Sequence, residues 1–326
     1  MKGIDRRMLV AGSAAAATCI GRPAVVRAAE PLKVNAVLAN AIHWVQCVAV
    51  EKGFYRDSGF DPNLSVLQSS PQSIQFILSG ELHVATAQPE TFVAAVEQGA
   101  TDLAAIAAPT NHCDWVLAGA RGVKTLADIK GKSVGLSSLR ATEAWLTARL
   151  LEQKGLKKSD YSFVVGGTSP AKVAALEADA VGAAVLFQPT AEAAIRQGLV
   201  PLASYQNLRA YPTILYVVKK EWAAMESHGK RVAAALRRSH EWLWNPANRE
   251  EALQILAKYA KRERPVLETV YDQYFVSGKL YSKTGAIERA GLRVVLADMA
   301  LDGTAFKVAP APEKFILVPN LGGLST

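Results

Sequence analysis

Short apolar runs alternate along residues 29–326 with longer stretches whose apolar positions recur every three or four residues. The first pattern is that of buried strands, and the second is that of helices packed on one face. Strands are expected over residues 32–38, 64–67, 83–87 and 102–107. Asn40 is placed to cap a helix that Gly53 closes. Strand and helix in alternation predict an α/β fold with mainly parallel sheets flanked by helices.

One pattern occurs twice. Ser70-Pro71 opens a helix, a strand follows, and Gln88-Pro89 opens a second helix closed by Gln98-Gly99. About one hundred residues on, Ser169-Pro170 opens a helix, residues 183–187 form a strand, and Gln188-Pro189 opens a helix closed by Gln197-Gly198, an internal repeat. Ser at the cap, Pro in the first turn and Gly past the end are ordinary boundary chemistry. Their recurrence in one order points to two lobes of similar build. Residues 211–218 read as a strand returning to the first lobe, and helical patterns over 230–244, 249–261, 266–276 and 286–301 would cover its sheet. Lobe one is then 29–113 plus 214–326, and lobe two is 114–213. Two crossings, near 113 and 213, make a hinge with a cleft beside it.

The first 28 residues carry a different signal. Lys2, Arg6 and Arg7 precede an apolar run from Met8 to Ile20, and Val26-Arg27-Ala28 has the small residues of a cleavage site. This is the pattern of a removable export signal, too short for a membrane span. The Arg6-Arg7 pair points to the twin-arginine route, while Leu9, where an aromatic is usual, leaves the general secretory route open. Cys19 falls inside this segment. Removing it takes the formal charge from +8 to about +4, so the pI of about 9.3 is poor support for nucleic-acid binding. A periplasmic protein is expected. Cys47 and Cys113 remain, either as one bridge or as two buried thiols.

Several stretches carry a family resemblance. They are Val50-Glu51-Lys52-Gly53-Phe54-Tyr55 with Gly59-Phe60, Ser79-Gly80-Glu81-Leu82, and residues 126–135 (LADIKGKSVG). Ala183-Ala184-Val185-Leu186 before Gln188-Pro189, and Trp242-Leu243-Trp244-Asn245-Pro246, complete the set. Together they resemble the periplasmic solute-binding proteins of ABC importers of the nitrate, sulfonate and taurine type, which share their fold with thiamine-pyrimidine synthases. The resemblance implies a two-lobed periplasmic-binding-protein fold (type II) with the ligand cleft at the hinge. It also implies a monomer that takes a small organic anion and hands it to a permease with an associated ATPase. No cofactor, metal or nucleic acid is expected. His83 and Gly182 stand where this family often has Asp, so ligand identity does not carry over.

Ligands of open α/β sheets meet the carboxyl ends of strands, where helix starts offer unpaired N–H groups to anions. Four loops follow. Asn40, His43 and Trp44 come after the first strand; Ser69 and Ser70 precede Pro71; Gln88 and Gln188 each precede a helix-opening Pro. Ser137, Ser138, Arg140 and Thr142 place hydroxyls and a guanidinium at one helix start, a cradle for sulfonate or carboxylate. Asn111 and Tyr211 flank the crossings. Each has a plainer alternative: a cap for Ser137 or Ser138, a turn amide for the glutamines, a packed helix face for His43 and Trp44, a scaffold for the hinge residues. A metal reading would need His43, Cys47, His112, Cys113 and Asp114 to converge. A thiol nucleophile, Cys113 with His43 or His112, would need a base in reach. No enzyme is expected. Import of a thiamine-precursor pyrimidine, or a sensor docking on a signalling receptor, stands as the alternative.

Overall fold

The computed structural model describes residues 28–36, 41–139, 142–206, 210–278, 280–303, 305–318 and 323. Residues 1–27 of the expected export signal, Asn40 and Arg140 lie outside them. Among the described residues ten strands run β1 (Glu30–Ala36), β2 (Phe60–Val66), β3 (Val84–Ala87), β4 (Leu103–Ala107), β5 (Val116–Gly119), β6 (Lys132–Leu136), β7 (Tyr161–Val165), β8 (Ala183–Leu186), β9 (Val200–Ser204) and β10 (Leu215–Lys219). The helices beside the first eight strands are α1 (Trp44–Glu51), α2 (Phe54–Asp57), α3 (Ser70–Leu78), α4 (Pro89–Glu97), α5 (Thr142–Gln153) and α6 (Ser169–Glu177). Then come α7 (Thr190–Arg196), α8 (Lys220–Ala224), α9 (His228–Trp244), α10 (Arg249–Ala260), α11 (Arg264–Tyr271) and α12 (Arg289–Asp302).

Two five-stranded sheets form, in the orders β2-β1-β3-β10-β4 and β7-β6-β8-β5-β9. In the first, β1 pairs in parallel with β2 and β3, whereas β10 runs antiparallel to β3 and β4. In the second, β6 pairs in parallel with β7 and β8, whereas β5 runs antiparallel to β8 and β9. The sheets are therefore mixed, each with its fourth strand reversed. That strand is in each case the first to follow a passage from the other sheet.

Helices cover both faces of the first sheet, as its alternating side chains require. Leu215 and Val217 of β10 join an apolar cluster that includes Ile74, Phe92, Leu292 and Leu296. Their neighbours Tyr216 and Val218 join another that includes Trp44, Leu236 and Leu253. The first cluster continues through Cys113, Trp115 and Tyr205 into the second sheet. The strand expected over 211–218 begins only at Leu215: Pro212 has no N–H to pair, and the Thr213 hydroxyl meets that of Thr110 at 2.8 Å. The helix expected over 266–276 is α11 followed by a π-helical turn, Asp272–Val276. No helix among the described residues is long and apolar enough to cross a membrane.

Candidate functional site

The carboxyl ends of the two sheets face each other across a cavity of about 530 Å³. Each side supplies one copy of the repeat. Ser69-Ser70-Pro71 opens α3 on one side, and Thr168-Ser169-Pro170 opens α6 on the other; all six residues line the cavity. Ser70 Oγ accepts the backbone N–H of Gln88 at 2.9 Å, and Ser169 Oγ accepts that of Phe187 at 3.1 Å. Both serines reach eighteen residues ahead, so each ties a helix start to the loop after the next strand. Apolar walls come from Ile42, Trp115, Phe187 and Ile214. Trp115 meets Phe187 edge to face, ring centroids 5.3 Å apart.

A fully buried ion pair underlies the second side. Lys172 Nζ donates to Glu143 Oε1 at 2.9 Å, with both side chains sealed from solvent. Ser137, which lines the cavity, joins the same group. Its Oγ accepts from Lys172 at 3.0 Å and donates to Glu143 Oε1 at 3.1 Å, and its backbone N–H donates to Glu143 Oε2. The Lys172 ammonium also sits 4.8 Å from the centre of the Phe187 ring. Burial lowers the Lys172 pKa, and Glu143 pulls it back up. The lysine stem passes where Gly166 has no side chain: a Cβ there would stand 2.8 Å from Lys172 Cγ.

The predicted residues divide cleanly. His43, Ser69, Ser70, Gln88, Ser137 and Ser138 line the cavity. Burial drives the His43 pKa down to about 3, so its ring there is neutral, and its Nδ1 has no partner among the described residues. Four candidates are occupied elsewhere. Trp44 gives its Nε1–H to Ala252 O at 3.0 Å and packs against Tyr271 and Phe275. Gln188 donates to Gln273 Oε1 at 3.0 Å and accepts the Glu192 N–H at 3.1 Å. Asn111 bonds Ala286 O and the Glu288 N–H, and the Tyr211 hydroxyl donates to Glu90 Oε1 at 2.6 Å. Asn40 and Arg140 lie outside the described residues, as does the side chain of Thr142.

Sequence reasoning missed the Ser–Pro helix start of the second repeat as part of the site. Thr168-Ser169-Pro170 carried the signal, because it stands where Ser69-Ser70-Pro71 stands in the first half. Trp115, Phe187, Glu143 and Lys172 gave none.

The passages between sheets lie side by side. Tyr211 N donates to Asn111 O at 2.7 Å, and Tyr205 N donates to Trp115 O at 3.1 Å. Asp114 in the first passage accepts the Tyr274 hydroxyl from the π-helical turn. Burial raises its pKa to about 6, offset in part by that hydroxyl and by backbone N–H groups including that of Gln188.

The metal and thiol readings find no geometry. Among the described residues one group of metal-capable side chains converges, Glu30, Glu226 and His228, at the end of β1 away from the cavity. Glu30 already accepts Arg231 at 2.8 Å and His228 at 2.7 Å there. Cys47 and Cys113 are separate buried thiols, the first pushed up to about 12 and the second well above its ordinary value by burial. Neither is a thiolate at neutral pH.

The model of the family described as "NMT1/THI5 like" matches residues 40–249. The chain belongs to this family. Every cavity-lining residue of this NMT1/THI5-like protein falls within the matched span. Its fold is that of solved binding proteins at low identity. The alkanesulfonate-binding protein SsuA from Xanthomonas axonopodis pv. citri, solved with MOPS, superposes with a TM-score of 0.69 at 17% identity, over 92% of this chain and 99% of that one. The periplasmic aliphatic sulphonate-binding protein SsuA from Escherichia coli gives 0.70 at 20%, over 90% and 99%. The periplasmic nitrate-binding protein NrtA from Synechocystis PCC 6803 gives 0.72 at 14%, over 91% and 85%. No curated protein sequence matches the chain significantly.

Proposed function

We propose that this chain is the extracytoplasmic substrate-binding component of an ABC importer, capturing a small organic anion by closure of two lobes. The lobes are 29–113 with 214–326, and 114–213, and the first 28 residues are the removed export signal. The observation that carries the reading is the pair of Ser–Pro helix starts, one from each sheet, facing one cavity. A helix start presents unpaired N–H groups and the positive end of its dipole, so two of them favour an acceptor or anion between the sheets. The apolar walls then take the body of the ligand. At about 530 Å³ the cavity has room for an organic acid well beyond the size of an inorganic ion.

Closure needs contacts made only when both sheets touch the ligand. Ser70 on one side and Ser169 on the other are placed for that. The closed form is what a permease would recognise. Alkanesulfonates, taurine and aromatic carboxylates are the classes to test in a thermal-shift panel. A ligand that binds only the native state adds about 2.7 kcal/mol at a hundred times its Kd, so the melting point should rise with at least one class. A melting point indifferent to all of them at millimolar concentration would refute the organic-anion reading.

A further inference from the structure

The hydrogen-bond inventory of the cavity says more about the ligand than its shape does. This step rests on the organic-anion reading and refines it. A hydroxyl has one proton to give and two lone pairs to offer; a carboxylate only accepts and an ammonium only donates. At Ser137 the proton goes to Glu143 Oε1 and one lone pair receives Lys172. The Ser137 backbone N–H, which an anion would want, is also taken by Glu143. One lone pair is left. Ser137 can therefore accept a hydrogen bond from a ligand and has nothing to donate to one.

Ser70 and Ser169 are the reverse. Each Oγ already accepts a backbone N–H, and no other described group takes either hydroxyl proton. Both are left to donate. The donating serines sit at the two helix starts, where the dipoles also favour an acceptor. The accepting serine sits over a buried pair whose charges cancel. The cavity thus has a donor region and an accepting corner, joined by the surfaces of Trp115 and Phe187.

We infer that the ligand carries both an anionic or accepting group for Ser70 and Ser169 and an uncharged N–H or O–H donor for Ser137. The donor must be uncharged because Lys172 already holds the same oxygen at 3.0 Å. A ligand ammonium would crowd a second cation onto it. Hydroxy- and amino-substituted aryl acids, and hydroxy-substituted branched acids, fit this description. Simple alkanesulfonates and inorganic oxyanions satisfy only half of it, and an ω-ammonium acid brings the wrong charge.

Calorimetric titration with the three aminobenzenesulfonate isomers, the three toluenesulfonates and benzenesulfonate tests this directly. The anilino nitrogen is uncharged at neutral pH and similar in size to methyl, so each isomeric pair differs chiefly in its ability to donate. One amino isomer should bind about tenfold tighter than its methyl counterpart, the scale of one neutral hydrogen bond. Ser137→Ala should bring that pair to within about twofold. If no amino isomer surpasses its methyl partner in the native protein, the inference is wrong while anion binding stands. A preference that survives Ser137→Ala would also overturn it, by placing the acceptor elsewhere. Absence of binding by all seven probes would count against the organic-anion reading and, with it, this refinement. The comparison within the native protein holds whether or not the variant folds.

Discussion

Lys172 illustrates what a single buried charge does in this molecule. Its ammonium has traded water for one carboxylate, one hydroxyl and the face of Phe187. Removing one member of such a pair leaves the other charged and unsolvated, which costs about 3–5 kcal/mol. Lys172→Met should therefore lower unfolding stability by that order, and Lys172→Met with Glu143→Leu should recover most of it. Urea titration of the two variants reads the difference. A single variant as stable as the native chain would mean the pair is not sealed as described. None of this was legible in the sequence. Lys172 follows Ser169-Pro170-Ala171, one turn into a short helix, where a lysine ordinarily faces solvent. Only the packed neighbours, above all the missing side chain at Gly166, show why it points inward. His43 was readable as a candidate because its position after the first strand is fixed by topology. Its neutral state was not, since that depends on burial by residues distant in the chain.

The strand–turn–helix unit whose helix opens on Ser–Pro was the most legible element, because capping and first-turn chemistry are local. Its two copies, α3 and α6, each have nine residues and the same Ser-to-N–H bond. Expectations failed where tertiary pairing decides. β5 and β9, for which no strand was expected, are short runs that gain strand character by pairing: β5 with β8 and β9, and β9 with β5. The run after Tyr211 has strand composition, but Pro212 and the Thr110–Thr213 bond hold it as a passage. Asp114 belongs to this scale, since it joins the other passage to the π-helical turn through Tyr274. Its folded pKa, about 6, lies above the ordinary 3.8. The folded form then holds the extra proton between those values, so its contribution is full below about pH 4 and is lost as pH rises through 6. A shift of that size corresponds to about 3 kcal/mol. Asp114→Asn lacks this term. The stability of the native chain minus that of Asp114→Asn should fall as pH rises from 4 to 6 and then level off. Buried His43 and His240 change stability in the opposite direction over this range, but they are present in both proteins and cancel. Denaturant unfolding across pH checks it, and a flat difference would contradict the assignment.

At the scale of the whole molecule, two sheets of matching order share a pair of adjacent passages and one cavity. The doubled pattern of the sequence reached this far because each half repeats the same boundary chemistry. The side chains that give the cavity its chemistry were only half visible: Ser137 and Ser138 were, whereas Trp115 and Phe187 enter it through the way the halves meet. The central claim is that the sheets draw together on a ligand held between Ser70 and Ser169. Val66 and Val165 are exposed at the carboxyl ends of β2 and β7, one in each sheet and each two residues before a cavity-lining residue, Gln68 or Gly167. Cysteines placed there in a Cys19→Ser background can carry spin labels while Cys47 and Cys113 stay buried. The electron–electron distance distribution should shift shorter and narrow when the organic anion with the largest thermal shift is added. A distribution that does not move while calorimetry reports binding would contradict the account.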